Sequence, residues 1–284
     1  MVLQQQMGAI GDGTFQGMVL SGFLVDTGIT CQKHNAPIYL RTRPADKQSE
    51  FCIACQQEKI NDKKQSVDLK YEREAILANG YNVFYKESIL SDEISKATLA
   101  NFKVESEIDN KALNYAKRIV RDYSKGMVGN SILQGNAGVG KSHLSMGIAK
   151  DLNGLFKAYN QQKSIVFVSV AMLARLVKDT FNYKDKESRY SQERMTKLLT
   201  ECDYLILDDL GKESTTGNTI KQSSDWNYSF LFNILDNRES TIINTNFTTN
   251  QLIEIYDRAF VDRILKGARN NIFKFPDDAK SKRF

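Results

Sequence analysis

The sequence predicts an α/β fold in which helices flank a mostly parallel β-sheet. From about residue 108 onward, short apolar runs alternate with amphipathic stretches of helical periodicity. This alternation is typical of parallel strands that are joined by crossover helices. A glycine-rich loop lies between the first of these runs and the next helix. Closer to the N terminus, a separate group of cysteine and histidine residues predicts a small module ahead of the α/β domain.

The apolar runs are short and are bounded by polar or turn-forming residues, as strands usually are. The predicted strands are Ser131–Gln134, Ile165–Val170, Tyr204–Leu207, Thr241–Thr245 and Ile272–Phe275. Ahead of the first strand, apolar residues at helical spacing predict a helix with Asp109 as its N-cap and Gly126 as its stop. We expect the apolar faces of such helices to cover the sheet.

Composition limits the possible classes of protein. The chain has 284 residues, of which 41% are apolar and 26% are charged, as in soluble globular proteins. A net charge of +5 permits a nucleic-acid partner but does not argue for one. No apolar run is long enough for a membrane span, and the first 30 residues lack the basic start of a signal peptide. We therefore expect a cytoplasmic protein that has no membrane partner.

Changes in composition divide the chain into segments. The predicted segments are a flexible leader at 1–30, the module with the cysteine and histidine residues at 31–60, a helical linker at 61–107 and the α/β domain at 108–284. The linker is charged and helical in pattern until it breaks at Asn79-Gly80. A polar stretch at 212–224 is expected to be a mobile loop.

The glycine-rich loop predicts a phosphate-binding site. Its sequence, GNAGVGKS, fits G-x-x-x-x-G-K-[ST] between a predicted strand and a helix. The glycines let backbone N–H groups point at phosphate oxygens, the lysine supplies an ammonium, and the serine offers a hydroxyl to Mg²⁺. We expect ATP and Mg²⁺ to bind through Gly135, Asn136, Ala137, Gly138, Val139, Gly140, Lys141 and Ser142.

Two adjacent carboxylates follow the predicted strand Tyr204–Leu207. Charges at the mouth of a buried strand are costly unless they are used. In P-loop ATPases a second strand ends in an acidic residue that orients Mg²⁺. We therefore predict that Asp208 belongs to the metal shell and that Asp209 polarises the attacking water. Asn246, at the end of a third strand, is expected to hold that water or to contact the γ phosphate.

Five segments together resemble a known family. They are ATLANF at 97–102, GNAGVGKSHL, LILDDLGKE, WNYSFLFNILDNR and TIINTNFT. They resemble the DnaC/DnaI-type helicase loaders and the related IstB transposition ATPases, both of which are AAA+ P-loop ATPases. The resemblance covers roughly residues 95–284. It implies that Gly135–Ser142 is the Walker A loop, that Asp208 and Asp209 are the Walker B pair, and that Asn246 is the sensor-1 residue.

The resemblance also assigns roles to arginines. Arg263 is similar to the arginine finger that reaches the γ phosphate of a neighbouring subunit, with Arg258 as the alternative, and Arg283 is similar to the sensor-2 arginine. Asp209 stands where many AAA+ enzymes have a longer glutamate. We therefore expect slow Mg²⁺-dependent ATP hydrolysis that is stimulated by assembly or by DNA.

The N-terminal cluster predicts a metal site. Its residues form two short motifs, Cys31-x2-His34 and Cys52-x2-Cys55. Each motif places two ligands on one tight turn, and the two turns together can close a tetrahedron around Zn²⁺. Four nitrogen and sulfur ligands leave no open position, so the zinc is expected to be structural. It would stabilise a module too small to build much core.

The zinc module favours one of the related functions. A zinc module ahead of an ATPase domain resembles the organisation of DnaI-type loaders, whereas IstB-type ATPases typically lack such a module. The resemblance implies a homo-oligomer that assembles with ATP, binds a DnaB-type ring helicase and single-stranded DNA, and loads the helicase. Two alternatives are an IstB-like transposition helper that acts on duplex DNA and a non-hydrolysing adaptor that ATP switches. We expect the zinc module to dock on the helicase, with direct contact to DNA as the alternative.

Overall fold

The computed structural model describes residues 17–20, 22–42, 48–182, 188–216 and 219–282. It divides into two units, Met1–Arg73 and Glu74–Phe284. Among the described residues, no helix combines the length and the apolar character that a membrane crossing requires. Arg283 lies outside the described residues, and so does most of the predicted leader.

The first unit contains a three-stranded antiparallel sheet in the order β1-β2-β3. Its strands are β1 Leu24–Thr30, β2 Pro37–Thr42 and β3 Gln48–Cys52. Strand β1 lies inside the segment predicted as a leader. Its sequence, LVDTGIT, has little alternation of apolar and polar residues, so pairing with β2 defines this strand more than its own pattern does. Helix α1, Ile53–Asn79, follows β3 and ends in the second unit.

The second unit is built on five parallel strands in the order β10-β4-β9-β6-β5. These strands are β4 Ser131–Gln134, β5 Ile165–Ser169, β6 Tyr204–Leu210, β9 Thr241–Thr245 and β10 Ile272–Lys274. The prediction of an α/β fold with a parallel sheet is confirmed. A separate antiparallel pair, β7 Thr215–Thr216 and β8 Thr219–Ile220, lies within the stretch predicted as a mobile loop.

Helices cover both faces of this sheet. They are α2 Tyr81–Glu87, α3 Asp92–Ser95, α4 Glu107–Ser124, α5 Lys141–Ala158, α6 Val170–Asp179, α7 Gln192–Glu201, α8 Asp225–Asp236, α9 Thr249–Ile255 and α10 Arg258–Ile264. Successive strand residues belong to opposite layers of core. Leu205 and Leu207 pack in one apolar cluster and Ile206 in the other, as the two-residue period of a strand requires.

The segment between α2 and α4 belongs to the second unit, although the sequence predicts a linker as far as residue 107. Ala97, Leu99 and Phe102 are buried in the same cluster as Leu144. Ile89 donates its N–H to the carbonyl of Phe167 at 2.7 Å. These apolar residues are spaced irregularly among charged ones, so local composition does not predict that they are buried. They belong to the core because elements distant in sequence cover them.

The start of α4 differs from the prediction. Ser106 is the N-cap, because its side chain accepts a hydrogen bond from the N–H of Asp109 at 3.2 Å. The prediction that Asp109 is the N-cap is therefore wrong, and this carboxylate pairs with Lys282 instead, at 2.8 Å. The stop is close to the predicted one: α4 ends at Ser124, and Gly126 has a φ of 88°, which suits a glycine after a helix.

Candidate nucleotide-binding site

The glycine-rich loop lies between β4 and α5, as its motif requires. Gly138 and Gly140 have φ values of 87° and 99°, a region that side chains other than glycine rarely adopt. A Cβ on Gly138 would collide with the side chain of Ser281, and one on Gly140 would lie 2.7 Å from the ring of Phe102. The loop therefore needs glycine for both its turn and its packing, and it leads directly into the N terminus of α5.

Lys141 lies at the centre of this loop with 4% of its surface exposed. Its ammonium donates to the carbonyls of Gly135 and Asn136, both at 2.8 Å, and to Oδ1 of Asn246 at 2.6 Å. A buried ammonium is tolerated because oxygen atoms surround it. These oxygens hold the cation beside the loop, where the negative oxygens of a bound phosphate would compete for it.

Asp208 and Asp209 lie near the end of β6, directly before its last residue, Leu210, and have different environments. Asp208 is 6% exposed and accepts a hydrogen bond from Nδ2 of Asn244 at 2.6 Å. Burial raises the pKa of Asp208, and the charge of Asp209 raises it further, while hydrogen bonds from Asn244 and Ser142 oppose this rise. A divalent cation between Asp208 and Ser142 would favour the ionised carboxylate. Oxygen donors of this kind fit Mg²⁺.

Asp209 has left-handed backbone geometry, with a φ of 58°. The register of β6 against β9 shifts between Leu207 and Leu210, so Asp209 lies in a bulge. Its carboxylate accepts from the ammonium of Lys212 at 3.0 Å and from Nδ2 of Asn246 at 3.4 Å. A strained backbone at a strand end is typical of functional sites. The bulge gives the two neighbouring carboxylates different partners.

Asn246 joins the loop to the second carboxylate. Its Oδ1 accepts from Lys141, and its Nδ2 donates to Asp209. A single side chain at the end of β9 therefore contacts one residue from each of the two motifs. The sequence predicted Asn246 beside a phosphate or the attacking water, and the structure brings it to the position between the loop and Asp209.

A cavity of about 420 Å³ connects these groups to a second wall. The cavity is lined by residues of the loop, by the two carboxylates and by Asn246. It is also lined by residues of the segment between α2 and α4, which form the second wall and include Leu90, Ile94, Asn101, Phe102 and Lys103. Apolar and aromatic side chains next to a phosphate site are suited to a nucleotide base. The sequence analysis did not predict this wall. The segment ATLANF at 97–102, which ends in Asn101 and Phe102, was the signal that could have indicated it.

His143, which has no role in the sequence prediction, attaches this wall to α5. Its Nε2 lies 2.9 Å from the carbonyl of Thr98 and 2.8 Å from Oδ1 of Asn101. Both atoms are acceptors, so Nε2 carries the proton. Burial lowers the pKa of His143. The neutral imidazole of His143 therefore links the second wall to α5, directly after the phosphate loop.

The chain near its C terminus also contacts the loop. The N–H of Lys282 donates to the carbonyl of Gly138 at 2.9 Å, and Nδ2 of Asn136 donates to the carbonyl of Asp277 at 2.8 Å. The ammonium of Lys282 pairs with Asp109 at 2.8 Å and donates to the carbonyl of Lys103 at 2.7 Å. Lys282 lines the cavity, next in sequence to the predicted Arg283.

The two candidate finger arginines lie on α10. Arg263 forms an ion pair with Asp236 and lies over the ring of Phe232, 5.7 Å from its centroid. Arg258 is exposed at the first residue of the helix. Neither residue lines the cavity described above. The structure therefore does not bring either arginine to the phosphate loop of the same chain.

In the first unit, the predicted metal ligands lie together. The ligand atoms of Cys31, His34, Cys52 and Cys55 are all within 4.8 Å of one another. Nδ1 of His34 is the atom that faces the sulfurs, 3.3 Å from Sγ of Cys55. On the other side of the ring, Nε2 lies 2.9 Å from Oε1 of Glu58. Three sulfurs and one imidazole nitrogen suit tetrahedral Zn²⁺, and a carboxylate behind the histidine is a usual companion.

Strand, phosphate loop, helix and paired carboxylates on a five-stranded parallel sheet define a P-loop nucleotide-binding protein with the AAA+ fold. The model of the IstB-like ATP binding protein family matches residues 71–270. The chain belongs to this family, and the resemblance inferred from its motifs is confirmed at that level.

Solved structures also resemble the chain. The DnaC helicase loader is 20% identical with a TM-score of 0.50, covering 66% of this chain and 100% of that one. DnaI is 24% identical with a TM-score of 0.48, covering 68% and 94%. AMPPCP-bound DnaA from Aquifex aeolicus is 18% identical with a TM-score of 0.47, covering 66% and 52%. The similarity to the DnaC loader supports the fold. No curated protein sequence matches the chain.

Proposed function

We propose that the chain binds ATP with Mg²⁺ in the cavity of the second unit and hydrolyses it. The observation that carries this proposal is the chain of contacts from Lys141 to Asn246 to Asp209, at 2.6 and 3.4 Å. It joins the residue suited to hold the β and γ phosphates to the residue suited to polarise water. The membership in an ATP-binding family supports the same reading.

In this proposal the side chains divide the work. Ser142 and Asp208 hold Mg²⁺, which neutralises charge on the phosphate oxygens when it is bound. Lys141 exchanges its carbonyl partners for phosphate oxygens. Asp209 orients the attacking water and accepts its proton, while Asn246 keeps the water and the carboxylate aligned. The water oxygen forms the new bond to the γ phosphorus as the bond to the β–γ bridging oxygen breaks.

The second wall would hold the base. The apolar side chains of Leu90, Ile94 and Phe102 line the cavity, and a flat aromatic base can pack among them. The remaining phosphate contacts are proposed to come from other subunits or from the C terminus. Arg263, or alternatively Arg258, would reach a neighbour's γ phosphate, and Arg283 would act on the same chain's nucleotide.

We infer further that the protein is a loader of a replicative DnaB-type ring helicase. It would assemble as a homo-oligomer with ATP, bind single-stranded DNA through its ATPase units, and release the helicase after hydrolysis or exchange. The support is the combination of the family's ATPase unit with a cluster of four ligand atoms suited to structural Zn²⁺. That N-terminal module would contact the helicase or the DNA.

A second candidate is a transposition helper that acts on duplex DNA, since the matching family model is IstB-like. Affinity capture with purified ring helicase, with and without ATP, separates the two. Capture of the helicase, together with tighter binding to single-stranded than to duplex DNA, supports the loader. Failure to capture the helicase, with a preference for duplex DNA, would overturn it in favour of the helper.

A further inference from the structure

Asn244 is a fully buried amide at the centre of the sheet. It lies in β9 with 0% of its surface exposed. Its Nδ2 donates two hydrogen bonds of 2.6 Å, one to Oδ1 of Asp208 and one to Oγ of Ser145. Both protons of the amide are therefore committed. Its Oδ1 is buried without a hydrogen-bond partner among the described residues.

Together with the two contacts described next, these bonds form a closed ring of hydrogen-bonded residues that includes the proposed metal ligands Asp208 and Ser142. Ser145 donates to the carbonyl of Ser142 at 3.2 Å, and the side chain of Ser142 is hydrogen-bonded to Asp208. Asn244 thereby connects β9 to the end of β6 and to the first turns of α5. The two oxygen donors suited to Mg²⁺ are members of one ring, and Asn244 is the member that spans the three elements.

Fold stability does not explain an amide at this position. Ile242, two residues earlier in β9 and so on the same face of the strand, is apolar and buried, so burial alone does not require a polar side chain at 244. Burying an amide oxygen without a partner costs about 1–3 kcal/mol. Such a group calls for an explanation outside packing, and the contact with Asp208 provides one.

We propose that Asn244 is a positioning residue for the proposed Mg²⁺ site. Its amide fixes Oδ1 of Asp208 and so holds this carboxylate beside the hydroxyl of Ser142, where both groups would serve as ligands of the cation. Asn244 does not line the cavity, so it acts through its contacts, directly on Asp208 and by way of Ser145 on the backbone of Ser142. This inference rests on the proposed binding of ATP with Mg²⁺.

A pair of nearly isosteric variants tests the proposal. Asn244→Thr keeps a hydroxyl that can donate to Asp208, whereas Asn244→Val has the same shape without a donor. The readout is the Mg²⁺ enhancement, defined as the affinity for a fluorescent ATP analogue in Mg²⁺ divided by that in EDTA. Asn244→Val should reduce the enhancement about tenfold or more, as loss of a supporting hydrogen bond behind a metal ligand does. Asn244→Thr should stay within about threefold of the wild type.

Thr241→Val is the matched control, since it removes another buried polar group from the same strand, at a position paired with Leu205 and not with Asp208. It should change stability and leave the enhancement unchanged. If Asn244→Val does not fold, Asn244→Ala replaces it in the comparison with Asn244→Thr. Equal enhancement in the wild type and the donor-free variant would overturn the role of Asn244. A wild type without any Mg²⁺ enhancement would instead overturn the proposed metal-dependent function.

Discussion

The ammonium of Lys141 and Oδ1 of Asn246 lie 2.6 Å apart. They are distant in sequence, and the contact forms because β4 and β9 are adjacent parallel strands whose carboxyl ends meet at one edge. Ligands of open parallel sheets bind at this edge. The contact links the phosphate loop to Asp209 through one amide, so the proposed binding and hydrolysis of ATP would share a residue.

Asp209→Asn should lower the rate of ATP hydrolysis about 10²–10⁴-fold, because it removes the group that accepts the proton of the attacking water. Nucleotide affinity should change little, since Asp208 and the loop remain. Steady-state phosphate release and equilibrium binding measure the two effects. A variant that hydrolyses ATP at the wild-type rate would show that Asp209 has another role.

The protein should contain one tightly bound zinc per chain, measured by elemental analysis. Glu58→Gln should lower the zinc affinity about 10–100-fold, because Glu58 orients the ring of His34. Competition with a coloured chelator measures this affinity. Glu50→Gln, an exposed position on β3, is the control and should bind zinc like the wild type. Equal affinity in both variants would count against the supporting role of Glu58.

Lys282→Met should destabilise the second unit by about 3 kcal/mol at pH 7, because it leaves the carboxylate of Asp109 buried without its cation. Burial alone would raise the pKa of Asp109, but hydrogen bonds led by the one from Lys282 outweigh it and lower the pKa. The contribution is therefore present above the ordinary carboxyl pKa and is lost as the pH falls below it.

Chemical denaturation between pH 7 and pH 3 measures this difference. The difference in the free energy of unfolding between the wild type and Lys282→Met should become smaller toward the acidic end of the range. Lys280→Met, at an exposed position two residues away, should match the wild type throughout. A gap that stays constant with pH would contradict the assignment of this effect to Asp109.

Arg263→Ala should abolish most ATP hydrolysis while nucleotide affinity is retained, if α10 supplies the finger to a neighbouring subunit. Arg258→Ala is the matched variant on the same helix. Mixing Arg263→Ala with Asp209→Asn subunits should restore part of the activity, since some shared sites then contain both groups. If Arg258→Ala alone loses hydrolysis, the finger is Arg258. Failure of the mixture to recover would argue against shared sites.

Local patterns predicted the parts of the structure that local chemistry determines. The strands β4 and β9 match their predicted bounds, because each is an apolar run with clear ends. The spacing of glycine, lysine and serine located the loop at Gly135–Ser142, since that turn depends on residues close in sequence. The close approach of the four candidate metal ligands was predicted from the spacing of two short motifs for the same reason.

Features that depend on distant contacts were missed or placed wrongly. Ser106 rather than Asp109 caps α4, because Asp109 is engaged by Lys282 from the far end of the chain. The wall that contains Phe102 was predicted as a linker, since its burial comes from α5 and the sheet. Asn244 looked like one more strand residue. Its contact with Asp208 requires the pairing of β6 with β9. Local sequence patterns do not reveal which strands are neighbours in the sheet.

Calorimetric titration of ATP into the wild type and the Lys141→Ala variant tests whether the cavity of the second unit binds ATP. Lys157→Ala, which removes an ammonium near the other end of α5, is the control. The wild type and Lys157→Ala should bind ATP with similar affinity, and Lys141→Ala should give no measurable binding. Wild-type affinity in Lys141→Ala would contradict the account.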